Sequence, residues 1–204
     1  PNDRIGLVVF AARSFTQCPL TLDHPVLQGF LDEIQVGLID DGTAIGLGLA
    51  TAVARLRHSD SPSKTVILLT DGVNNVPTLE PETAARLAES LDVRVYTVAI
   101  GREGMVPYPV DDPIFGRRTR QVEARIDLPL LRDIASLTGG SMFQATDPQA
   151  LEDIFTTIDE LETARYRTRV STWYRELLAW FAVPALALVA LATALGSTWL
   201  RRIP

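Results

Sequence analysis

The stretch Lys64–Asn75, KTVILLTDGVNN, decides the fold. Its first part, Thr65–Thr70, is apolar and β-branched without the alternation of a half-exposed strand. Such a run predicts a strand covered on both faces, as in a parallel sheet. Asp71-Gly72 then turns the chain. Two further runs share this character, Arg4–Phe10 (RIGLVVF) and Val93–Ile100 (VRVYTVAI). Helical patterns separate or follow them: Pro25–Ile34, Thr43–Leu56 with small residues on one side, Glu82–Leu91 after Pro81, and Leu128–Leu137, stopped by Gly139-Gly140. Met142–Gln144 reads as a last short strand. Asp147-Pro148 opens a helix through Ala164, with Asp147 as its N-cap. These alternating elements predict an α/β domain with a doubly wound, mostly parallel sheet.

Two stretches break the alternation. Gln17–Leu22 fits a short antiparallel edge strand, because Pro19 is tolerated only at an edge. Cys18 within it is the only cysteine, which excludes an intrachain disulfide and a Cys-based metal site. It is expected to pack as a small hydrophobe. Gly101–Arg125 carries Pro107, Pro109 and Pro113, then Arg117, Arg118, Arg120 and Arg125. So long an excursion reads either as a solvated hairpin flap or as a partner-binding surface.

Charge divides the chain. Residues 1–164 carry 13 Arg/Lys and 24 Asp/Glu, a net of −11, whereas the remaining residues carry six Arg and one Glu, a net of +5. An acidic domain argues against nucleic acid as a partner, since that needs a basic footprint. From Leu177 to Leu200 no residue is charged. A helix of that length reaches about 36 Å, against a hydrocarbon core of about 30 Å. Trp173, Tyr174 and Trp180 near one end and Trp199 near the other form the aromatic belts of a span, and a membrane helix tolerates Pro184. The expected organisation is a domain over 1–164, a basic juxtamembrane linker over 165–176, a transmembrane helix over 177–200 and a short basic tail over 201–204.

In an open parallel sheet, ligands bind beyond the carboxyl ends of the strands. Asp71 stands there, with Asn74 and Asn75 close behind. Asp40-Asp41-Gly42-Thr43 leads into the helix AIGLGLATAVARL. Thr43 is equally explained as a helix N-cap, and Asp71 as a turn residue. Together, a hydroxyl and a carboxylate from different loops are hard oxygen ligands suited to Mg²⁺ or Mn²⁺. An octahedral ion needs more oxygens than two, so a third loop would have to contribute.

DDGTAIGLGLATAVARL followed by KTVILLTDGVNN resembles the second and third loops of the metal-ion-dependent adhesion site of von Willebrand factor type A (VWA) domains. GLVVFA, CPLTLD, VRVYTVAIG, IDLPLLRDIASLTGG and the terminal LRRIP extend the likeness to the BatA group of membrane-anchored bacterial VWA proteins, linked to aerotolerance. The resemblance implies that Thr43 and Asp71 are metal ligands, Asp71 often acting through water. It also implies a third, Asp-x-Ser-x-Ser loop after a central first strand. Both are missing: RIGLVVFA matches the family's second strand, so residues 1–164 read as a VWA domain lacking its first strand and first metal loop. The implied function is metal-dependent protein–protein interaction at the bacterial inner membrane. A partner carboxylate would complete the ion's shell, and the associates would be a MoxR-type AAA+ ATPase and other Bat proteins. A metal-free membrane scaffold with a degenerate site is one alternative, and a metal- or nucleotide-dependent enzyme subunit on the same sheet is the other. Four arginines before the span and two after it place the domain in the cytoplasm on raw count, whereas the resemblance implies upstream helices and a periplasmic domain.

Enzyme chemistry finds little support. GLGLAT lacks the third glycine of a dinucleotide fingerprint and falls inside a helix; Lys64 is the only lysine, and no phosphate-binding Gly-x-x-x-x-Gly-Lys motif exists. His24 and His58 have no partner at ligand spacing, and Ser14 and Ser141 lack a nucleophile elbow. Asp159, Glu160 and Glu162 read as a solvated helix face.

Overall fold

The run Thr65–Thr70 forms a strand over its whole length, and the elements around it follow the expected alternation. The computed structural model describes residues 3–35, 37, 40–102, 104–112, 116–169, 184–190 and 192–193, with backbone alone for 105–112, 116–124 and 166–169. They divide into two units, Pro1–Tyr166 and Arg167–Pro204. In chain order the elements are β1 (Ile5–Phe10), β2 (Ser14–Thr21), α1 (His24–Asp32), α2 (Ile45–Leu56), β3 (Thr65–Thr70), α3 (Pro81–Ser90), β4 (Arg94–Ile100), β5 (Gly104–Asp112), β6 (Gly116–Ala124), α4 (Leu128–Leu137), β7 (Met142–Ala145) and α5 (Pro148–Arg169).

Three strands form a parallel sheet in the order β3-β4-β7, with Thr65 opposite Arg94 and Thr97 opposite Met142. Alternate residues reach opposite faces. Val66, Leu68, Val95 and Ala99 pack with Leu49 and Val53 of α2, Ala84 and Ala88 of α3, and Leu131 and Ile134 of α4. Tyr96 and Val98 face the other way, under Ile154 and Ile158 of α5. Helices on both faces make this sheet doubly wound.

β1 and β2 form a separate antiparallel sheet, Val9 opposite Phe15. Cys18 is buried in β2, as expected of a small hydrophobe. Among the described residues β1 pairs with β2 alone and β3 with β4 alone, so each keeps one unpaired edge. That open edge is why β1 is less buried than its apolar sequence suggests: Ile5 is 43% exposed. α2 packs against β1, β2 and β3. Its Gly48 admits the Phe10 ring, which a Cβ at residue 48 would meet at 2.7 Å.

The excursion after β4 is a hairpin, β5 against β6 from Gly104↔Ala124 to Asp112↔Gly116. Its strands pack chiefly on each other. It is entered through Gly101 (φ +100°) and Gly104 (φ +127°), left-handed positions that suit glycine.

α5 begins as expected. Asp147 Oδ1 accepts the Ala150 N–H (2.9 Å), and this bond holds the Asp147 carboxyl below its usual range. The helix runs on to Arg169, beyond Ala164. Its acidic run is not wholly solvated: Asp159 and Glu160 are exposed, but Glu162 is half-buried. Glu162 accepts hydrogen bonds from Ser63 Oγ (2.8 Å), Tyr96 OH (2.7 Å) and Arg94. The transmembrane helix expected over 177–200 lies largely outside the described residues. Of that stretch 184–190 and 192–193 are helical, and among the described residues no helix is long and apolar enough to cross a membrane.

Candidate functional site

Asp71 follows the last residue of β3 and is exposed, on a loop that leads to α3. Gly72 N–H donates to Thr70 Oγ1 (3.3 Å) at the turn. The second loop, 40–44, is tied to the end of β1: Ala44 N–H donates to the Ala11 carbonyl (2.8 Å) and Ala12 N–H to the Asp40 carbonyl (3.2 Å).

The two loops meet at Thr43 and Gly72. A Cβ on Gly72 would stand 3.1 Å from Thr43 Oγ1, so the missing side chain is what lets the Thr43 hydroxyl approach the backbone next to Asp71. Thr43 is not the helix cap that its sequence position allows. The cap is Ala44, which has no side-chain oxygen to offer the first N–H groups of α2. The neighbouring loop satisfies one of them instead: Asn74 Oδ1 accepts the Ile45 N–H (2.9 Å), while just ahead of the helix Asn75 Oδ1 accepts the Thr43 N–H (2.8 Å). Asn75 N–H also donates to the Thr43 carbonyl (3.1 Å). The sequence marks both asparagines as polar groups of the loop, but nothing local says which donors they serve.

A hydroxyl and a carboxylate from adjoining loops suit a hard divalent cation. They fill only part of its shell: among the described residues no three His, Cys, Asp or Glu side chains gather closely enough to hold a metal. Asp40 and Asp41 are exposed, and Asp40 lies 3.9 Å from the equally exposed Arg13 guanidinium, a pair worth little in water. Gly46 and Gly48 have packing roles. A Cβ on Gly46 would strike the Leu79 carbonyl oxygen, and Gly48 faces Phe10. His24 and His58 are exposed, and Ser14 is paired with Thr51 (2.6 Å). An open, mostly apolar cleft of about 340 Å³ lies at the ends of β4 and β7, lined by Ile100, Ala145, Thr146 and Leu151 among others.

Known proteins resemble this chain in sequence and in fold. A Borreliella burgdorferi protein is 26% identical over 204 residues, 99% of this chain. The chain spans 59% of that relative's length. Among solved structures, an aerotolerance-related membrane protein from Bacteroides fragilis is 26% identical with a TM-score of 0.65, covering 78% of this chain and 81% of that one. BatB from Bacteroides thetaiotaomicron is 25% identical with a TM-score of 0.64, covering 80% and 81%. Proximal thread matrix protein 1 of the mussel byssus, solved with a zinc-occupied metal-ion-dependent adhesion site, shares the fold at 24% identity and a TM-score of 0.58, covering 79% and 36%. Residues 1–157 match the family model described as the von Willebrand factor type A domain, and the chain belongs to that family.

Proposed function

We propose that the chain is a membrane-anchored interaction module that binds a partner protein through a divalent cation, Mg²⁺ or Mn²⁺. The observation that carries the reading is the contact between the loops of Thr43 and Asp71 across Gly72. Thr43 Oγ1 and the Asp71 carboxylate, directly or through water, are the ligands this stretch supplies; further oxygens come from an Asp-x-Ser-x-Ser loop outside it. The bound ion supplies an electrophilic centre for a partner carboxylate. The residues of the chain itself hold the loops together and keep the site open to solvent, as the exposure of Asp71 requires.

The reading is one of binding and not of catalysis. The loops 40–43 and 71–75 contain no His, Cys or Lys to act as base or nucleophile. Membership of the family and likeness to Bat-type membrane proteins support a place in an envelope complex of the bacterial inner membrane. There the uncharged stretch 177–200 is the anchor, the domain faces the periplasm, and a MoxR-type AAA+ ATPase and other Bat proteins are associates. A metal-free scaffold is the second reading, favoured by the absence of a three-ligand acidic cluster among the described residues. Titration of the full-length protein with Mn²⁺ separates the two. Saturable binding that Asp71→Ala removes supports the ion site, whereas binding unchanged in Asp71→Ala, or none in wild type, overturns it.

A further inference from the structure

We infer that Asn74 and Asn75 are positioning residues that hold Thr43 in place beside Asp71, an inference that rests on the ion site proposed above. Three hydrogen bonds make the clamp, and all of them bear on Thr43 or its near neighbour. Asn75 binds Thr43 at both backbone polar groups, accepting from its N–H through Oδ1 and donating its own N–H to its carbonyl. Asn74 Oδ1 takes the Ile45 N–H, on the other side of Ala44. Both asparagines sit on the Asp71 loop, only three and four residues beyond the carboxylate. The backbone that carries the hydroxyl is therefore fixed to the loop that carries the carboxylate.

A second contact stiffens the same unit. Gly46, in the first turn of α2, lies against Leu79 and Glu80 at the far end of the loop, leaving no room for a Cβ. The loop thus grips the start of α2 at both ends, and the two oxygen donors move together.

The residue type follows from the chemistry. The donors are N–H groups, so the facing atom must be an acceptor oxygen. Aspartate would cap as well as asparagine. It would also put a second carboxylate beside Asp71, where it would compete for a cation. The neutral amide orders the loop without joining the ligand set. Side chains in this supporting role typically change metal affinity by about 10- to 100-fold when removed.

The test uses the full-length protein with Asn74→Ala, Asn75→Ala and Asn75→Asp. Amide exchange at Thr43 and Ile45 is followed in chelator, and Mn²⁺ affinity is followed by titration. Each alanine variant is expected to keep slow exchange at Leu49 and Val53 in the buried face of α2. It should speed exchange at its own amide, Ile45 or Thr43, and weaken Mn²⁺ binding by about tenfold or more. Asn75→Asp, which retains an acceptor, should restore slow exchange at Thr43. Wild-type exchange in the alanine variants overturns the clamp. Faster exchange with unchanged Mn²⁺ affinity overturns its positioning role while leaving the ion site standing. No Mn²⁺ binding by wild type overturns the ion site, and the positioning role with it.

Discussion

Gly46, in the first turn of α2, packs against the backbone of Leu79 so closely that a Cβ at residue 46 would stand 2.1 Å from the Leu79 carbonyl oxygen. Helix propensity alone favours alanine there by about 1 kcal/mol. Contact overrides propensity, so Gly46→Ala is expected to lower stability by about 1–3 kcal/mol, the cost of overpacking. Gly29 in α1, with nothing within 4 Å of its would-be Cβ, is the control. Gly29→Ala should raise stability by about 0.5–1 kcal/mol. Denaturant midpoints for the two variants check the pair, and equal shifts would contradict the packing argument.

Glu162 gives acid sensitivity. Burial opposes ionisation of its carboxyl, but hydrogen bonds from Tyr96, Arg94 and Ser63 outweigh it and hold the group below the usual carboxylate range. Its contribution to stability is therefore complete above the unfolded value of about 4.3 and is lost as pH falls through the lower folded value. Glu162→Ala, which strands three donors, should cost about 2–3 kcal/mol at neutral pH. Glu162→Gln should lose less stability between pH 7 and 3 than wild type does. Parallel urea titrations at the two pH values measure the difference.

The same carboxylate acts on Tyr96. Burial first, and then the bond to Glu162, push the phenol up to about 12. The sign is the reverse of the acid case: stability from the neutral phenol is present below about 10 and lost as pH rises through about 12. Absorbance at 295 nm should show one tyrosine ionising late, and Tyr96→Phe should remove that step.

Asp92, between α3 and β4, adopts φ +55°, where an L side chain costs about 1–2 kcal/mol. Asp92→Val is expected to be less stable than Asp92→Gly by about 1–2 kcal/mol, because only glycine adopts this φ without strain. Melting temperatures of the two variants in the opposite order would refute this.

The edges of β1 and β3 that are unpaired among the described residues bear on folding. A two-stranded sheet is marginal by itself, and open edges invite association. Residues 1–204 produced alone are expected to melt broadly and to bind a hydrophobic dye. Adding a segment that supplies a strand between β1 and β3 should sharpen the melt. A sharp two-state transition of residues 1–204 by themselves, in detergent, would count against the idea.

Much of this was legible from local pattern. Apolar runs marked β3 and β4, Gly139-Gly140 marked the end of α4, and the strand-end rule drew attention to Asp71. What escaped depends on residues far apart in the chain. Glu162 sits on an acidic helix flank, and its donors lie at Ser63, Arg94 and Tyr96. Thr43 reads as a cap because the local rule looks only along one chain segment, whereas the oxygen that takes the first helical N–H, at Ile45, comes from Asn74. β1 reads as buried because composition records what a strand can cover, not whether a neighbour is there to pair with it.

The attachments of α5 set a load path. Among the described residues of this helix, Arg165 is tied to the Gly139 carbonyl and Glu162 to Ser63, Arg94 and Tyr96, so a pull along the helix axis would reach these ties. Ser63 and Arg94 precede or begin β3 and β4, so tension enters at the foot of the parallel sheet. Asp71 and Thr43 lie at the opposite end of β3. A load carried between the tail and a partner held there would run lengthwise through the strand, against a row of hydrogen bonds in shear.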